Sequence, residues 1–217
     1  MHQIQLTTGD TLAAGKIIGL GRNYLDHIRE LGNSVPERAV IFCKPASSLV
    51  ANGGVIELPD FADECHHELE LAVLIGTTGK NIPAARALHH VAGYAVALDL
   101  TLRDLQSELK KAGLPWDIAK GFDTSCPLSD FVPAQQVKNP NHLDLTLKVN
   151  GDIRQQGNTA QMMRSVEEII AEISRYFTLE PGDIILTGTP SGVAALAHGD
   201  SLEGTIAEVG TLRVKVA

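Results

Sequence analysis

Three acidic residues in two apolar segments predict a site for a hard metal ion. Glu68 and Glu70 stand one residue apart in the apolar stretch HHELELAVLIG, residues 66–76. In a strand, alternate side chains share a face, so two buried carboxylates would lie side by side and need a positive partner. Asp99 ends a second apolar segment, GYAVALDL. Three carboxylates without a cluster of thiolates or imidazoles suit Mg²⁺, Mn²⁺ or Ca²⁺, and would leave about three coordination positions for water or substrate.

The same acidic residues also have an ordinary structural interpretation. A Glu-x-Glu pair is commonly the solvated face of an edge strand, and an aspartate before a helix is commonly a cap. Zinc bound through Cys65, His66 and His67 is a weaker prediction, because adjacent residues rarely converge on one ion and the H-E-x-x-H order is absent. Spacing alone leaves the metal site and the solvated face both open.

Two further groups of residues have types suited to proton transfer or charge stabilisation. His27 and Glu30 lie three apart in GRNYLDHIRE, residues 21–30. On a helix the carboxylate could fix the imidazole tautomer and make His27 a general base, although a solvated helix face explains the same pair. Lys120 and Lys44 each follow apolar residues. A partly buried ammonium there could stabilise an oxyanion, although most lysines simply extend to solvent.

Candidate substrate contacts follow Asp99 and the glycine-rich segment near the C-terminus. Arg103 and Gln106 stand one turn apart on the helix predicted to follow Asp99. The segment TGTPSGV, residues 187–193, lacks the lysine of a phosphate-binding loop. Its backbone N–H groups and the hydroxyls of Thr187 and Thr189 could bind a carboxylate, and a plain tight turn is the alternative.

The elements that must position these residues are mostly strands. Short apolar runs bounded by Gly, Pro or Asn predict strands, Asn150-Gly151 predicts a hairpin, and a second strand pair turns at Gly210. The predicted strand segments are 16–21, 39–45, 54–59, 69–76, 91–100, both arms of the hairpin at 143–156, and 201–216, and the segment 180–190 is predicted to be a turn, a buried strand and a second tight turn. Helices are predicted at 22–31, 84–90, 101–113 with Thr101 as N-cap and Gly113 as terminator, and 159–177. The fold class is α+β and strand-rich, with one domain over 1–217, a small N-terminal subregion at 1–60 and a core at 61–217.

Composition excludes several classes of protein. Of 217 residues, 44% are hydrophobic and the formal net charge is −8, which disfavours binding to nucleic acid or to an anionic membrane surface. The longest apolar stretches are too short to span a bilayer. Three isolated cysteines argue against a disulfide framework, and no signal peptide is visible. We therefore expect a soluble cytoplasmic protein.

Seven motifs in register resemble the fumarylacetoacetate hydrolase family, specifically its short acylpyruvate hydrolase or fumarylpyruvate hydrolase-like branch. The resemblance extends from about Lys16 to the C-terminus. The motifs are GRNYLDHIRE, IFCKPASS, HHELELAVLIG, GYAVALDLTLRDLQ, WDIAKGFDTSCP, VNGDIRQQGNT and LEPGDIILTGTPSGV. The resemblance implies a fumarylacetoacetase C-terminal-like fold of packed, rolled, mixed β-sheets with a few peripheral helices, a homodimer and a divalent cation.

The resemblance also assigns roles to the candidate residues. It implies metal binding by Glu68, Glu70 and Asp99, catalysis by His27, Glu30 and Lys120, and substrate binding by Arg22, Lys44, Arg103, Gln106 and Thr189. The larger fumarylacetoacetase places a fourth carboxylate seven residues before its histidine, where this sequence has Leu20. We therefore expect three protein ligands plus water, which favours Mg²⁺ or Mn²⁺ over Ca²⁺.

These roles imply a divalent-metal-dependent hydrolase that cleaves the C–C bond of acylpyruvates, or 2,4-dioxo acids, such as acetylpyruvate or fumarylpyruvate. Pyruvate and a carboxylate would form through His-activated water and a metal-stabilised enolate. Oxaloacetate decarboxylation and 2-oxo-3-enoate isomerisation or tautomerisation use the same kind of enolate site and remain open. A non-catalytic metal-binding protein is the alternative outside enzymes, although binding alone needs no base.

Overall fold

The computed structural model describes residues 2–30, 32, 34–35 and 38–217. The strands are β1 (Gln3–Gln5), β2 (Thr11–Ala13), β3 (Ile17–Gly21), β4 (Val40–Lys44), β5 (Leu49–Ala51), β6 (Val55–Ile56), β7 (Cys65–His66), β8 (Leu69–Ile75), β9 (Val91–Leu98), β10 (Thr101–Leu102), β11 (Cys126–Leu128), β12 (Val132–Pro133), β13 (Asp144–Val149), β14 (Asp152–Asn158), β15 (Ile184–Leu186), β16 (Ser201–Ile206) and β17 (Gly210–Val216). The α-helices are α1 (Leu25–Glu30), α2 (Arg103–Ala112), α3 (Asp117–Lys120) and α4 (Val166–Tyr176). Short 3₁₀ helices span Ala46–Ser48, Ala84–His90, Ala134–Gln136 and Thr159–Gln161. The predicted strand-rich α+β class is confirmed.

Two mixed sheets contain most of the strands. The larger sheet has the order β4-β3-β15-β8-β9-β11-β5, with β12 beside β9. The smaller sheet has the order β14-β13-β16-β17-β6. Each contains both parallel and antiparallel pairs, such as the parallel β3–β15 and antiparallel β8–β9 pairs in the larger sheet. The strands β1–β2 and β7–β10 form two small separate ribbons.

The main apolar core lies on one face of the larger sheet. Alternate residues of β8, among them Leu69, Leu71 and Val73, pack in one buried cluster with residues of the smaller sheet and of α4. The intervening residues point to the opposite face, where Ala72 and Leu74 belong to a smaller buried cluster. Glu68 and Glu70 share this second face, so the strand that buries the core also directs two carboxylates away from it.

Local sequence signals explain several elements. Asn150 and Gly151 have φ values of 54° and 88°, which is the backbone of the two-residue hairpin that their types predict. The hairpin between β13 and β14 is therefore confirmed. The pair β16–β17 is also confirmed, with its turn just before Gly210. No helix in the described part of the chain is both long enough and apolar enough to cross a membrane.

Several predicted boundaries are wrong. Thr101 does not cap a helix: it lies in β10 opposite His66, and α2 begins at Arg103. The helix does end at Gly113, whose φ is 69°. The segment 84–90 is a 3₁₀ helix, and the predicted strand 54–59 is only the two-residue β6.

The two remaining predicted helices are shorter than their sequence patterns suggest. The pattern at 159–177 divides into a 3₁₀ turn at Thr159–Gln161 and the helix α4, which starts behind a capping box of Ser165 and Glu168. The pattern at 22–31 yields α1, and residue 31 lies outside the described residues.

Candidate metal and catalytic site

Strand pairing brings the three predicted acidic ligands together. Leu69 lies opposite Leu98 in the antiparallel β8–β9 pair, and the Asp99 N–H donates to the Glu68 carbonyl at 2.8 Å. Asp99 is therefore level with Glu68, and Glu70 follows on the same face. One carboxylate oxygen from each of the three residues lies within 4.8 Å of the others. The pairing register of β8 and β9 builds this cluster.

The three carboxylates are buried, which excludes the solvated-face interpretation. Glu68, Glu70 and Asp99 are 5%, 2% and 1% exposed. The Lys120 ammonium lies between two of them, 2.9 Å from Glu68 Oε2 and 2.6 Å from Asp99 Oδ2. Arg103 forms an ion pair with Glu68. Two cationic side chains thus sit at the point where the acidic residues converge.

The electrostatic balance differs between the two glutamates. Burial alone would raise the pKa of Glu68, but the Lys120 and Arg103 charges outweigh it and hold that pKa below its ordinary value. Burial, followed by the Asp99 and Glu68 charges, raises the pKa of Glu70 well above its ordinary value, although the Gly188 N–H donates to Glu70 Oε2 at 2.6 Å. The negative charge around Glu70 is therefore incompletely compensated by the described residues.

The cluster fits a divalent cation. Its donors are all carboxylate oxygens, which hard ions such as Mg²⁺ and Mn²⁺ prefer. Asp99 Oδ1 is buried without a hydrogen bond of good geometry, although the Lys44 ammonium lies 2.8 Å away. A cation among the three residues would satisfy this oxygen and would offset the charge that raises the pKa of Glu70.

His27 and Glu30 form a pair at the edge of the cluster. His27 Nδ1 lies 3.2 Å from Glu30 Oε2 along one face of α1, and the imidazole is only 6% exposed. Glu30 also accepts a hydrogen bond of 2.9 Å from the Gly192 N–H, which ties α1 to the segment 187–193. Because Glu30 engages Nδ1, the nitrogen that remains to accept a proton is Nε2.

One pocket is lined by eight of the eleven predicted site residues, and Glu30, Lys44 and Asp99 are not among its lining residues. Arg103 donates to Gln106 at 2.7 Å on α2, and the Lys120 ammonium lies 4.6 Å from the centre of the Phe42 ring in the wall. Among the described residues, the pocket is lined by Leu20, Gly21, Arg22, His27, Phe42, Glu68, Glu70, Arg103, Gln106, Lys110, Trp116, Lys120, Gly188 and Thr189. Asp99 lies beneath it as the third member of the cluster.

Lys44 is placed behind the site rather than in it. Its ammonium donates to the carbonyls of Leu100 and Ser125 at 3.1 and 3.0 Å, and to the carbonyl of Lys120. The side chain is fully buried beneath Asp99. The structure therefore contradicts the prediction that Lys44 contacts substrate, because its donors are used to join the segments that carry Asp99 and Lys120.

The segment 187–193 is more than a plain turn. Gly188 has a φ of 97°, and a Cβ there would lie 2.8 Å from the Asn23 Cβ, so this position requires glycine. The Thr187 hydroxyl donates to the Leu71 carbonyl at 3.0 Å and is not among the pocket-lining residues, so it is not the carboxylate contact that the sequence left open. Thr189 does line the pocket, and its hydroxyl accepts a hydrogen bond from the buried Gln155 amide at 2.7 Å.

Two polar residues of the site were missed from the sequence. Lys110 lines the pocket on the same face of α2 as Arg103, seven residues earlier, a spacing that could have revealed it. Asn23 is buried and joins three segments: its amide donates to the Thr187 carbonyl at 2.9 Å and accepts from the Arg164 N–H at 2.9 Å. A lone asparagine after Arg22 gave no comparable signal.

Comparisons with known proteins agree with this architecture. Residues 16–217 match the family described as fumarylacetoacetate (FAA) hydrolase C-terminal. The chain is 46% identical over 200 residues to rat "Oxaloacetate tautomerase FAHD1, mitochondrial", covering 92% of this chain and 90% of the relative. It is 48% identical over 191 residues to the protein of the same name from Arabidopsis thaliana, covering 88% of this chain and 86% of the relative.

Solved structures give the same result. Fumarylpyruvate hydrolase from Pseudomonas aeruginosa, in complex with Mn²⁺ and pyruvate, superposes with a TM-score of 0.96 at 39% identity, covering 100% of this chain and 95% of the other. The 5-carboxymethyl-2-hydroxymuconate delta-isomerase from Mycobacterium smegmatis superposes with a TM-score of 0.84 at 39% identity, covering 94% of this chain and 79% of the other. The chain belongs to the fumarylacetoacetate hydrolase family of metal-dependent enzymes.

Proposed function

We propose that this protein is a divalent-metal-dependent hydrolase that cleaves the C–C bond of acylpyruvates to give pyruvate and a carboxylate. The observation that carries the proposal is that His27, which pairs with Glu30, lines the same pocket as Glu68 and Glu70 of the buried acidic cluster. A protein that only bound a metal would not need a base beside it. The Mn²⁺ and pyruvate named for the Pseudomonas aeruginosa relative support this chemistry.

Glu68, Glu70 and Asp99 are proposed to hold Mg²⁺ or Mn²⁺. When bound, such an ion supplies a Lewis acid that polarises oxo groups and stabilises negative charge that develops on a 2-oxo acid. Leu20, where the larger relative has a fourth carboxylate, leaves three protein ligands and room for water or substrate.

His27 is proposed to act as the general base. Its Nε2 accepts a proton from water, and the resulting hydroxide attacks the carbonyl distal to the pyruvyl group. Glu30 stabilises the imidazolium through Nδ1. The C–C bond then breaks, the acyl part leaves as a carboxylic acid, and the electron pair remains on the pyruvyl carbon as an enolate. Transfer of the proton from His27 to that carbon gives pyruvate, and the acid ionises to release one proton.

The other pocket residues are proposed to position and stabilise the substrate. Lys120 is charged here, because Asp99 and Glu68 outweigh burial and raise its pKa above the ordinary value. Its ammonium can therefore stabilise an oxyanion. Arg22, Arg103, Gln106 and Thr189 offer donors to the carboxylate and oxo oxygens of a 2-oxo acid or a 2,4-dioxo acid.

A second candidate is keto–enol interconversion of oxaloacetate. The rat and Arabidopsis relatives, 46% and 48% identical, carry the name oxaloacetate tautomerase. That reaction needs one proton removed from carbon and one returned, and the same His27 could do this without an attacking water. Decarboxylation of oxaloacetate and isomerisation of a 2-oxo-3-enoate would likewise require only stabilisation of an enolate.

Turnover of three substrates separates these reactions. Wild-type protein is incubated with acetylpyruvate, fumarylpyruvate and oxaloacetate, in Mg²⁺ and then in EDTA. Hydrolysis is expected for the acylpyruvates in Mg²⁺ only, and His27→Ala should lower kcat by about 10²- to 10⁴-fold. His89→Ala, an exposed histidine in the 3₁₀ helix Ala84–His90, is the matched control. Interconversion of oxaloacetate without hydrolysis of either acylpyruvate would establish the second candidate instead.

Four further expectations stay proposals. The continuous main core supports a single domain over 1–217. The homodimer is implied by the family resemblance, and sedimentation of the purified protein tests it. The cytoplasmic location is an expectation from the sequence alone. Binding to nucleic acid or to a membrane surface is not expected of a chain with a net charge of −8.

A further inference from the structure

A buried glutamine outside the pocket uses all of its hydrogen-bonding capacity beside the site. Gln155 lies in β14 and is 1% exposed. Its Oε1 accepts from the Leu69 N–H at 2.9 Å and lies 3.1 Å from His67 Nδ1. Its Nε2 lies 2.7 Å from Thr189 Oγ1 and 2.9 Å from the Pro190 carbonyl. The side chain thus connects β8, which carries Glu70, to the segment 187–193.

The backbone partners fix which end of the amide is which. A backbone N–H can only donate, so the atom facing Leu69 must be the oxygen. A carbonyl can only accept, so the atom facing Pro190 must be the nitrogen. His67 is therefore protonated on Nδ1, and Thr189 Oγ1 must act as the acceptor of an N–H from Gln155.

This assignment determines where the Thr189 proton points. A hydroxyl that accepts from an N–H cannot also donate along that direction. Among the described residues, the Thr189 hydroxyl donates no hydrogen bond, and Thr189 lines the pocket together with Gly188. The proton therefore points away from Gln155, and it belongs to a residue of the pocket wall.

We propose that Gln155 is a positioning residue that holds the Thr189 hydroxyl as a donor toward the pocket, where it binds a carboxylate or oxo oxygen of the 2-oxo acid. This inference rests on the proposed function. Without the Nε2 donor, nothing would hold the hydroxyl in this orientation, and it could present a lone pair to an anionic substrate.

A double-mutant cycle tests the inference with oxalate as the probe, since oxalate presents the adjacent oxygens of a 2-oxo acid. The dissociation constant is measured by calorimetry at saturating Mg²⁺. Thr189→Val should weaken oxalate binding about tenfold, as expected for loss of a charge-assisted hydrogen bond. Gln155→Met should weaken it several-fold in the wild-type background and no further in the Thr189→Val background. Thr189→Ser, which keeps the hydroxyl, should bind nearly as well as wild type.

Two controls distinguish positioning from general disruption. Gln156→Met alters the neighbouring residue of β14, whose side chain is exposed, and should leave oxalate binding unchanged. Mn²⁺ affinity without oxalate, measured by electron paramagnetic resonance, should be the same in Gln155→Met as in wild type. A distorted β8 would instead displace Glu68 and Glu70 and weaken Mn²⁺ binding.

The inference is overturned if Gln155→Met leaves oxalate binding unchanged, weakens it equally in both backgrounds, or weakens Mn²⁺ binding. If Gln155→Met does not fold, the same cycle is run with Gln155→Glu, which keeps acceptors for Leu69 and His67 and removes the donors. The negative charge of the new glutamate affects oxalate binding with or without the Thr189 hydroxyl. Only the difference between the effects of Gln155→Glu in the wild-type and Thr189→Val backgrounds is therefore interpreted. A wild-type protein that binds Mn²⁺ but neither binds oxalate nor turns over any 2-oxo acid contradicts the proposed function itself.

Discussion

Glu30 illustrates how one side chain can serve both the chemistry and the architecture of the site. One oxygen lies 3.2 Å from His27 Nδ1, and the other accepts from the Gly192 N–H at 2.9 Å. The first contact sets the imidazole tautomer, and the second joins α1 to the segment 187–193. The sequence predicted the first contact from the spacing of two residues. It could not predict the second, because Gly192 is 162 residues away.

Replacing Glu30 by glutamine should therefore impair catalysis more than folding. The amide keeps the shape, but it no longer stabilises an imidazolium and can donate to Nδ1, which favours the wrong tautomer. We expect kcat for acylpyruvate hydrolysis to fall by about 10- to 100-fold, at or below the lower end of the about 10²- to 10⁴-fold that a general base contributes, because Glu30 acts only through His27. The unfolding midpoint should change little. Glu57→Gln, at an exposed glutamate, is the control. Unchanged kcat in Glu30→Gln would refute the proposed pair.

The sequence predicts that Lys44 is partly buried, but it does not predict the direction of its side chain. Its place after an apolar strand indicates a partly buried ammonium, and the family resemblance implies a substrate contact. The structure shows the ammonium bound by the backbone around Lys120 and Ser125 and beside Asp99. Side-chain direction at the end of a strand depends on which segments pack there, and the sequence does not specify them.

Lys44→Met should consequently destabilise the fold. The replacement fills a similar volume but leaves buried carbonyls and the Asp99 carboxylate without their cation. We expect a loss of about 3–5 kcal/mol in the free energy of unfolding, as for removal of one partner of a buried ion pair. Urea denaturation measures it, with Lys148→Met on the exposed face of β13 as the control. A loss below about 1 kcal/mol, the size of a surface pair, would contradict the assigned role.

At the scale of secondary structure, turns and caps that depend on a few adjacent residues can be predicted from the sequence. Strand pairing between distant segments cannot. The turn at Asn150-Gly151 was identified because two residues alone determine its backbone. The start of α4 was missed, although Ser165 and Glu168 form a capping box that is visible in the sequence. Thr101 was misassigned for a different reason: it pairs with His66, and that partner is selected by the tertiary fold.

The cap of α4 can be tested by itself. The Ser165 side chain accepts from the Glu168 N–H, and Glu168 accepts from the Ser165 N–H at 2.8 Å. Ser165→Ala should cost about 1 kcal/mol of stability. In a chain of this length, that corresponds to a fall of about 2–4 °C in the thermal unfolding midpoint. Ser107→Ala, which removes an exposed hydroxyl from the interior of α2, should not lower the midpoint. Equal effects of both variants would exclude a capping contribution.

Over the whole molecule, the site exists because the larger sheet brings distant segments to one place. The Glu-x-Glu pair and Asp99 were identified as a set from their types, but only the β8–β9 register shows that Asp99 lies level with Glu68. Burial of all three carboxylates also depends on segments from the rest of the chain, including α3 with Lys120. In the unfolded chain these groups are scattered.

A cation that binds only this assembled site must stabilise the fold. At a Mg²⁺ concentration of 100 times the dissociation constant, linkage predicts about 2.7 kcal/mol of added stability. The thermal midpoint of wild-type protein should therefore rise by several degrees in Mg²⁺ and return to its starting value in EDTA. Glu70→Gln should remove the rise, whereas Glu57→Gln should keep it. A Mg²⁺-dependent shift that survives Glu70→Gln would place the stabilising ion elsewhere.

Anomalous diffraction from a crystal grown with Mn²⁺ and oxalate tests the proposed metal site most directly. The account predicts a single strong anomalous peak among the carboxylates of Glu68, Glu70 and Asp99, with oxalate beside it in the pocket that His27 lines. No anomalous peak at this cluster under saturating Mn²⁺, or a peak held by other residues, would contradict it.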